Sequence, residues 1–126
     1  MFRFVLAVGF SLAAAVAGAA AGPAAVDEAR LRAAAADATN WMSHGRTYDE
    51  QRFSPLAQID AGNVSRLGLA WSQTLDFERG VEATPLVVDG VMYVTGPWSV
   101  VYAFDAASGR PLWQHDPAVS RAQAVE

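Results

Sequence analysis

Few side chains in this 126-residue sequence are reactive enough to do chemistry, and those few are scattered. His44 and His115 are its two imidazoles, the groups best suited to moving protons near neutral pH. They lie far apart, fall in different elements and have no ligand-spaced partner, so both read as structural or solvated residues. Asp27-Glu28 and Asp49-Glu50 are adjacent acid pairs. Neighbours on a chain diverge in direction, so these pairs read as a helix start and a polar loop. Glu82 stands just ahead of an apolar run; by residue type alone it is a solvated loop carboxylate. The sequence has no Cys, which removes disulfides, thiolate metal sites and thiol nucleophiles. No glycine-rich phosphate loop and no nucleophile elbow occurs. The residues by themselves therefore nominate no catalytic group and no metal ligand.

Composition narrows the function classes further. All nine cations are arginines set against 13 acids, for a net charge of −4. No basic patch results, and nucleic acid is not an expected partner. Met1-Phe2-Arg3 opens the chain with a cation, Phe4 to Ala17 is uncharged, and small residues run from Ala17 to Gly22. That order reads as a secretory signal peptide over 1–22, cut near Ala19 to Gly22, with the periplasm as destination. A membrane anchor would need about 20 apolar residues and a stop-transfer flank. The 52% hydrophobic content thus overstates the core, because the export segment and Ala33 to Ala36 supply much of it.

The elements that must position any site follow from local pattern. Residues 26–38 read as a helix, within an N-terminal element of 23–39: acids in the first turn, Arg next, then an alanine run. Its face is mostly alanine, so it is expected to bury little area and carry no chemistry. Asn40 to Pro55 reads as a polar loop anchored by Trp41, Tyr48 and Phe53. Asp60 to Gly68 reads as one helical turn, capped by Asp60 and closed by Gly68. Leu69 to Leu75 reads as a strand. Leu86–Val88 and Val91–Val94 flank Asp89-Gly90, a strong hairpin signal because both turn positions need positive φ. Val100–Phe104 is a third strand, turned by Ala106–Gly109. Pro111–His115 is a fourth, which its proline confines to an edge or a strand start. These strands form a four-stranded antiparallel meander over 84–117. One such sheet leaves two faces and two edges uncovered, and in a propeller it is one blade of about 4–8.

Ala103-Phe104-Asp105-Ala106-Ala107-Ser108-Gly109-Arg110-Pro111-Leu112-Trp113 has a physical reading of its own. Asp105 and Ser108 can bond the turn backbone, Gly109 allows positive φ, and Trp113 offers a flat surface and one N–H to a neighbouring sheet. The segment resembles the tryptophan-docking repeat of quinoprotein propellers. Asn40-Trp41-Met42-Ser43-His44-Gly45-Arg46, Arg52-Phe53-Ser54-Pro55-Leu56, Asn63-Val64-Ser65-Arg66-Leu67 and Ala70-Trp71 together resemble the N-terminal signature of pyrroloquinoline-quinone (PQQ) alcohol dehydrogenases. Glu82 to Gly90 is similar to the first innermost strand of those enzymes. Asp60 departs from the usual Asn of the family, a mild change at a turn.

The resemblance implies an all-β fold: a first blade, plus a closing strand at 69–75 that completes the last blade of an eight-bladed quinoprotein propeller, incomplete in this chain. Residues 40–126 then form part of a propeller whose remaining blades are its structural partners. It implies the N-terminal part of a periplasmic PQQ- and calcium-dependent enzyme oxidising primary alcohols to aldehydes, with an acceptor such as a cytochrome c. Glu82 is the residue the resemblance assigns to cofactor contact. It assigns the catalytic base, an adjacent cysteine pair and the calcium ligands to later blades, so this chain alone is expected to be inactive. Trp98, next to Gly96-Pro97, is expected near the active-site mouth. The alternative is a non-catalytic envelope propeller acting as a scaffold; it would share the docking repeat but has no need of the Asn40–Trp71 signature or of Glu82.

Overall fold

The computed structural model describes residues 24–77 and 79–121, so the signal-peptide reading of 1–22 lies outside them. Its centre is the meander. Strands β1 (Leu86–Val88), β2 (Val91–Thr95), β3 (Val101–Asp105) and β4 (Pro111–His115) form one antiparallel sheet in chain order. Asp89 and Gly90 take φ of 51° and 79°, the pair of positive values the β1–β2 turn requires. Pro111 begins β4, an edge strand, where its missing N–H interrupts no ladder. In the β3–β4 turn, Asp105 Oδ1 accepts from the Ser108 N–H at 2.8 Å and the Ser108 hydroxyl at 2.7 Å, and Gly109 has φ 72°. The Ser108 hydroxyl bond, ahead of its N–H, lowers the Asp105 pKa.

Register assigns the two faces. Leu86, Val88, Val91, Tyr93, Thr95, Val101, Ala103 and Trp113 share one face, while Val87, Met92, Val94, Tyr102 and Phe104 share the other. An N-terminal arm covers the first face. Ala34 and Met42 bury against Val88, with Leu31 and Tyr93 packed around them. The arm is also tied to the sheet by polar bonds. Trp41 and Val87 exchange backbone hydrogen bonds at 2.8 and 3.0 Å, occupying the free edge of β1. Arg30 forks onto the Asp89 carboxylate, and Asn40 Oδ1 accepts from the Asp89 N–H at 2.7 Å. The Arg30 bond holds the Asp89 carboxyl below its ordinary pKa.

The N-terminal helix is shorter than the alanine run predicts. Helix α1 covers Glu28–Arg32 and a separate 3₁₀ turn covers Ala34–Ala36. Asp27 caps α1 by accepting from the Arg30 N–H at 2.8 Å, as an acid at a helix start should. The helix stops because the carbonyls beyond it bond elsewhere. The buried guanidinium of Arg46 donates to the carbonyls of Ala34 at 3.1 Å, Asp37 at 2.9 Å and Phe53 at 3.3 Å. A short helix is marginal without packing, so the two bonds from a buried cation to the Ala34 and Asp37 carbonyls outweigh propensity.

One further expectation needs correction. The helical turn is confined to Val64–Arg66; Asp60 caps the turn before it, accepting from the N–H groups of Gly62 at 2.7 Å and Asn63 at 3.1 Å. Gly68 has no positive φ, because the turn ends in extended backbone at Leu67. Residues 69–75, read as a closing strand whose partner lies outside this blade, join no ladder among the described residues. The segment crosses the second face instead, where Phe77 packs on Tyr102 with ring centroids 5.9 Å apart.

Asp37 makes the arm acid-sensitive. Its carboxylate accepts from Asn40 Nδ2 at 2.7 Å and from the Thr39 hydroxyl and N–H at 2.8 and 3.0 Å, and these bonds, Asn40 first, lower its pKa to about 2. A depressed carboxyl stabilises the fold fully above its unfolded value of 3.8 and loses that contribution as pH falls through about 2. In the protein that carries this chain, Asp37→Asn should therefore lower the thermal midpoint at pH 5 and lower it much less at pH 2. A deficit of equal size at both pH values would rule this out.

Candidate functional site

Glu82, His44 and Thr84 come together on the wall of an open hollow of about 430 Å3 whose apolar floor includes Leu86, Tyr93 and Val101. The sheet supplies the floor because these three residues share the covered face. Loop 43–53 supplies His44. That loop is tightly specified: Arg46, Glu50 and Arg52 all adopt positive φ, and the Arg52 N–H donates to the Gly45 carbonyl at 3.1 Å. A Cβ on Gly45 would come within 2.6 Å of the Glu50 Cα, so no other residue fits there without a backbone shift. Backbone strain of this kind persists only where surrounding contacts over-determine it, and here the buried Arg46 provides them.

The contacts of His44 give the site its polarity. Its Nδ1 lies 2.9 Å from the Thr84 hydroxyl, and its Nε2 contacts the Arg52 guanidinium. Sequence spacing could not reveal this juxtaposition, because His44 and Thr84 are joined by the Trp41–Val87 bridge and not by any local motif. His115, by contrast, sits exposed at the end of β4, paired with Val101 but not among the residues that line the hollow. The acid pairs stay apart from the hollow: Asp27 caps α1, and Asp49 accepts from the Thr47 hydroxyl. Among the described residues no group of three or more His, Cys, Asp or Glu could hold a metal.

Trp98 lies at the same end of the sheet as Glu82, because Leu86 pairs with Tyr93 and Thr95 with Val101. Trp98 and Ser99 adopt φ of 63° and 60°, uncommon for bulky residues. The guanidiniums of Arg79 and Arg121 stand 5.0 and 5.9 Å from the Trp98 ring centroid, so the rim there is cationic.

The docking turn has an occupant that the spacing around Trp113 does not point to. Trp71 lies against Gly109 and donates its Nε1–H to the Ala106 carbonyl at 3.2 Å. Trp113 is 49% exposed and packs on Tyr93 with centroids 5.9 Å apart, leaving part of its ring uncovered. A second hollow of about 350 Å3, between residues 73–76 and strands β3 and β4, is lined by one carboxylate, Asp76, and one phenol, Tyr102, with no His, Arg or Lys among its lining residues.

Residues 41–126 match the family model described as the glucose/ethanol/alcohol dehydrogenase β-propeller domain, PQQ. The quinohemoprotein alcohol dehydrogenase ADH-IIG of Pseudomonas putida is 61% identical over 121 residues, which is 96% of this chain and 17% of that protein. The 1-butanol dehydrogenase (cytochrome c) of Thauera butanivorans is 59% identical over 81 residues, 64% of this chain and 12% of that protein. Among solved structures, quinohemoprotein alcohol dehydrogenase ADHIIG from Pseudomonas putida superposes with a TM-score of 0.72 at 67% identity, covering 75% of this chain and 14% of that one. The chain thus spans less than a fifth of the curated relatives it matches. With the meander, the docking turn and the match to residues 41–126 in agreement, the chain belongs to the PQQ-dependent alcohol dehydrogenase family of β-propeller oxidoreductases.

Proposed function

We propose that this chain forms the first blade and part of the cofactor wall of a periplasmic enzyme that oxidises primary alcohols to aldehydes and passes electrons to a cytochrome c. The 61% identity to a quinohemoprotein alcohol dehydrogenase over nearly the whole chain carries this reading. The residues around the hollow suit one side of a planar, carboxylated quinone: a carboxyl, a hydroxyl and an imidazole above an apolar floor. When bound, the quinone supplies the electron acceptor for alcohol oxidation. The part of this chain is to bind and orient: Glu82 contacts the cofactor, and Leu86, Tyr93 and Val101 keep water from its face. Calcium enters through family membership alone. It takes about six to eight oxygen ligands, and the described residues offer no such set.

The protein that carries this chain, isolated from the periplasmic fraction and loaded with PQQ and calcium, should reduce an artificial dye in the presence of ethanol or 1-butanol. Glu82→Ala should weaken PQQ binding by about tenfold or more, the loss expected for a hydrogen bond to a charged group. Bound PQQ with no dye reduction on any primary alcohol would overturn the dehydrogenase reading.

A further inference from the structure

The contacts of His44 have a direction. A guanidinium carries five N–H donors and no acceptor, so Arg52 can only donate to His44 Nε2. Nε2 must then offer its lone pair, and the ring proton sits on Nδ1. That proton points to the Thr84 hydroxyl 2.9 Å away, and Thr84 Oγ1 accepts it. A hydroxyl that accepts from one side still has its own hydrogen to give. Thr84 lines the same hollow as Glu82, and its hydrogen has no protein acceptor among the described side-chain bonds.

We infer that Arg52, His44 and Thr84 form a one-way donor relay that makes the Thr84 hydroxyl a hydrogen-bond donor to an oxygen of the bound quinone, with His44 as a positioning residue. The inference deepens the functional reading above and rests on it. Each donor polarises the next, so the cationic charge of Arg52 strengthens the bond made by Thr84 without entering the hollow. An anionic or carbonyl oxygen is the acceptor such a relay suits, and a tricarboxylated ortho-quinone offers both. Loop 43–53 has the specification this role needs, because the buried Arg46, the close approach at Gly45 and the Arg52 N–H bond fix the two members of the relay it carries, Arg52 and His44.

The test is PQQ titration of the protein that carries this chain, followed by tryptophan fluorescence, with thermal melts alongside. Thr84→Val keeps the shape and removes the donor; it should weaken PQQ binding about tenfold while the melting temperature stays unchanged. Thr84→Ala gives the same measurement should the valine variant not fold, and Thr84→Ser should restore wild-type affinity. His44→Ala should weaken binding about threefold in the wild type and have no effect in the Thr84→Val background, as a relay acting through one hydroxyl demands. Unaltered affinity in Thr84→Val, or a His44→Ala loss of the same size in both backgrounds, overturns the relay and leaves the family reading intact. Wild-type protein that takes up no PQQ overturns both.

Discussion

Gly109→Ala should destabilise the protein that carries this chain by about 3 kcal/mol, whereas Gly90→Ala should cost only about 1 kcal/mol. The two glycines have nearly the same backbone, with φ of 72° and 79°, so the left-handed penalty is common to both. They differ in what a methyl group would meet. At Gly90 nothing lies within 4 Å; at Gly109 the added carbon would come within 2.5 Å of Trp71 Cδ2. A bicyclic ring whose Nε1–H is committed to the Ala106 carbonyl cannot retreat without losing that bond. Chemical denaturation of the two variants measures the difference directly. In a Trp71→Ala background the two should cost the same, because only the conformational penalty remains. Equal costs in the wild type would mean that Trp71 does not occupy the turn.

The second large effect is a complete loss. Residues 24–126 expressed alone should bind no PQQ and oxidise no alcohol. The hollow at Glu82 is open, and one blade gives an axial ligand a single wall. The same piece exposes Tyr48, Phe53, Leu56, Ile59, Leu67, Leu69 and Trp113, more apolar surface than a chain of this size keeps in contact with water unpartnered. Aggregation is therefore the expected fate of concentrated samples. Calorimetric titration of the refolded segment with PQQ and calcium, followed by a dye-linked assay, checks this. Stoichiometric binding with turnover would show that copies of one blade can rebuild the site between them.

The meander was legible in the sequence because its signals are local. Asp89-Gly90 specifies a turn through φ alone, Pro111 marks an edge strand, and Asp105 with Ser108 writes its own turn. The N-terminal helix was misread in extent for the opposite reason. Alanine propensity is a local quantity, whereas the bonds that end the helix come from Arg46, on a loop beyond it. Residues 69–75 have strand character but no ladder, since pairing belongs to two segments and the sequence shows one at a time. Glu82 was nominated through family resemblance alone, since its residue type reads as a solvated carboxylate. His44 reads as structural or solvated in the sequence, and its contacts with Thr84 and Arg52 follow no motif that spacing could show. The occupant of the docking turn was missed as well. A turn that accepts a tryptophan announces the contact, and nothing in its residues says which tryptophan arrives.

The position of Trp71 bears on how the segment that carries it stays on the sheet. Its partner, Ala106, lies 35 residues further along the same chain. The contact is thus made within one chain, with an effective concentration on the order of millimolar set by the tether. Lengthening the tether erodes this slowly, because closure entropy grows only with the logarithm of loop length. Cutting it is different. A nick in the stretch after Phe77 would turn an internal clasp into a bimolecular one, and the segment carrying Trp71 would then be held at the mercy of protein concentration. The docking turn is latched by a tether that tolerates insertion and not cleavage.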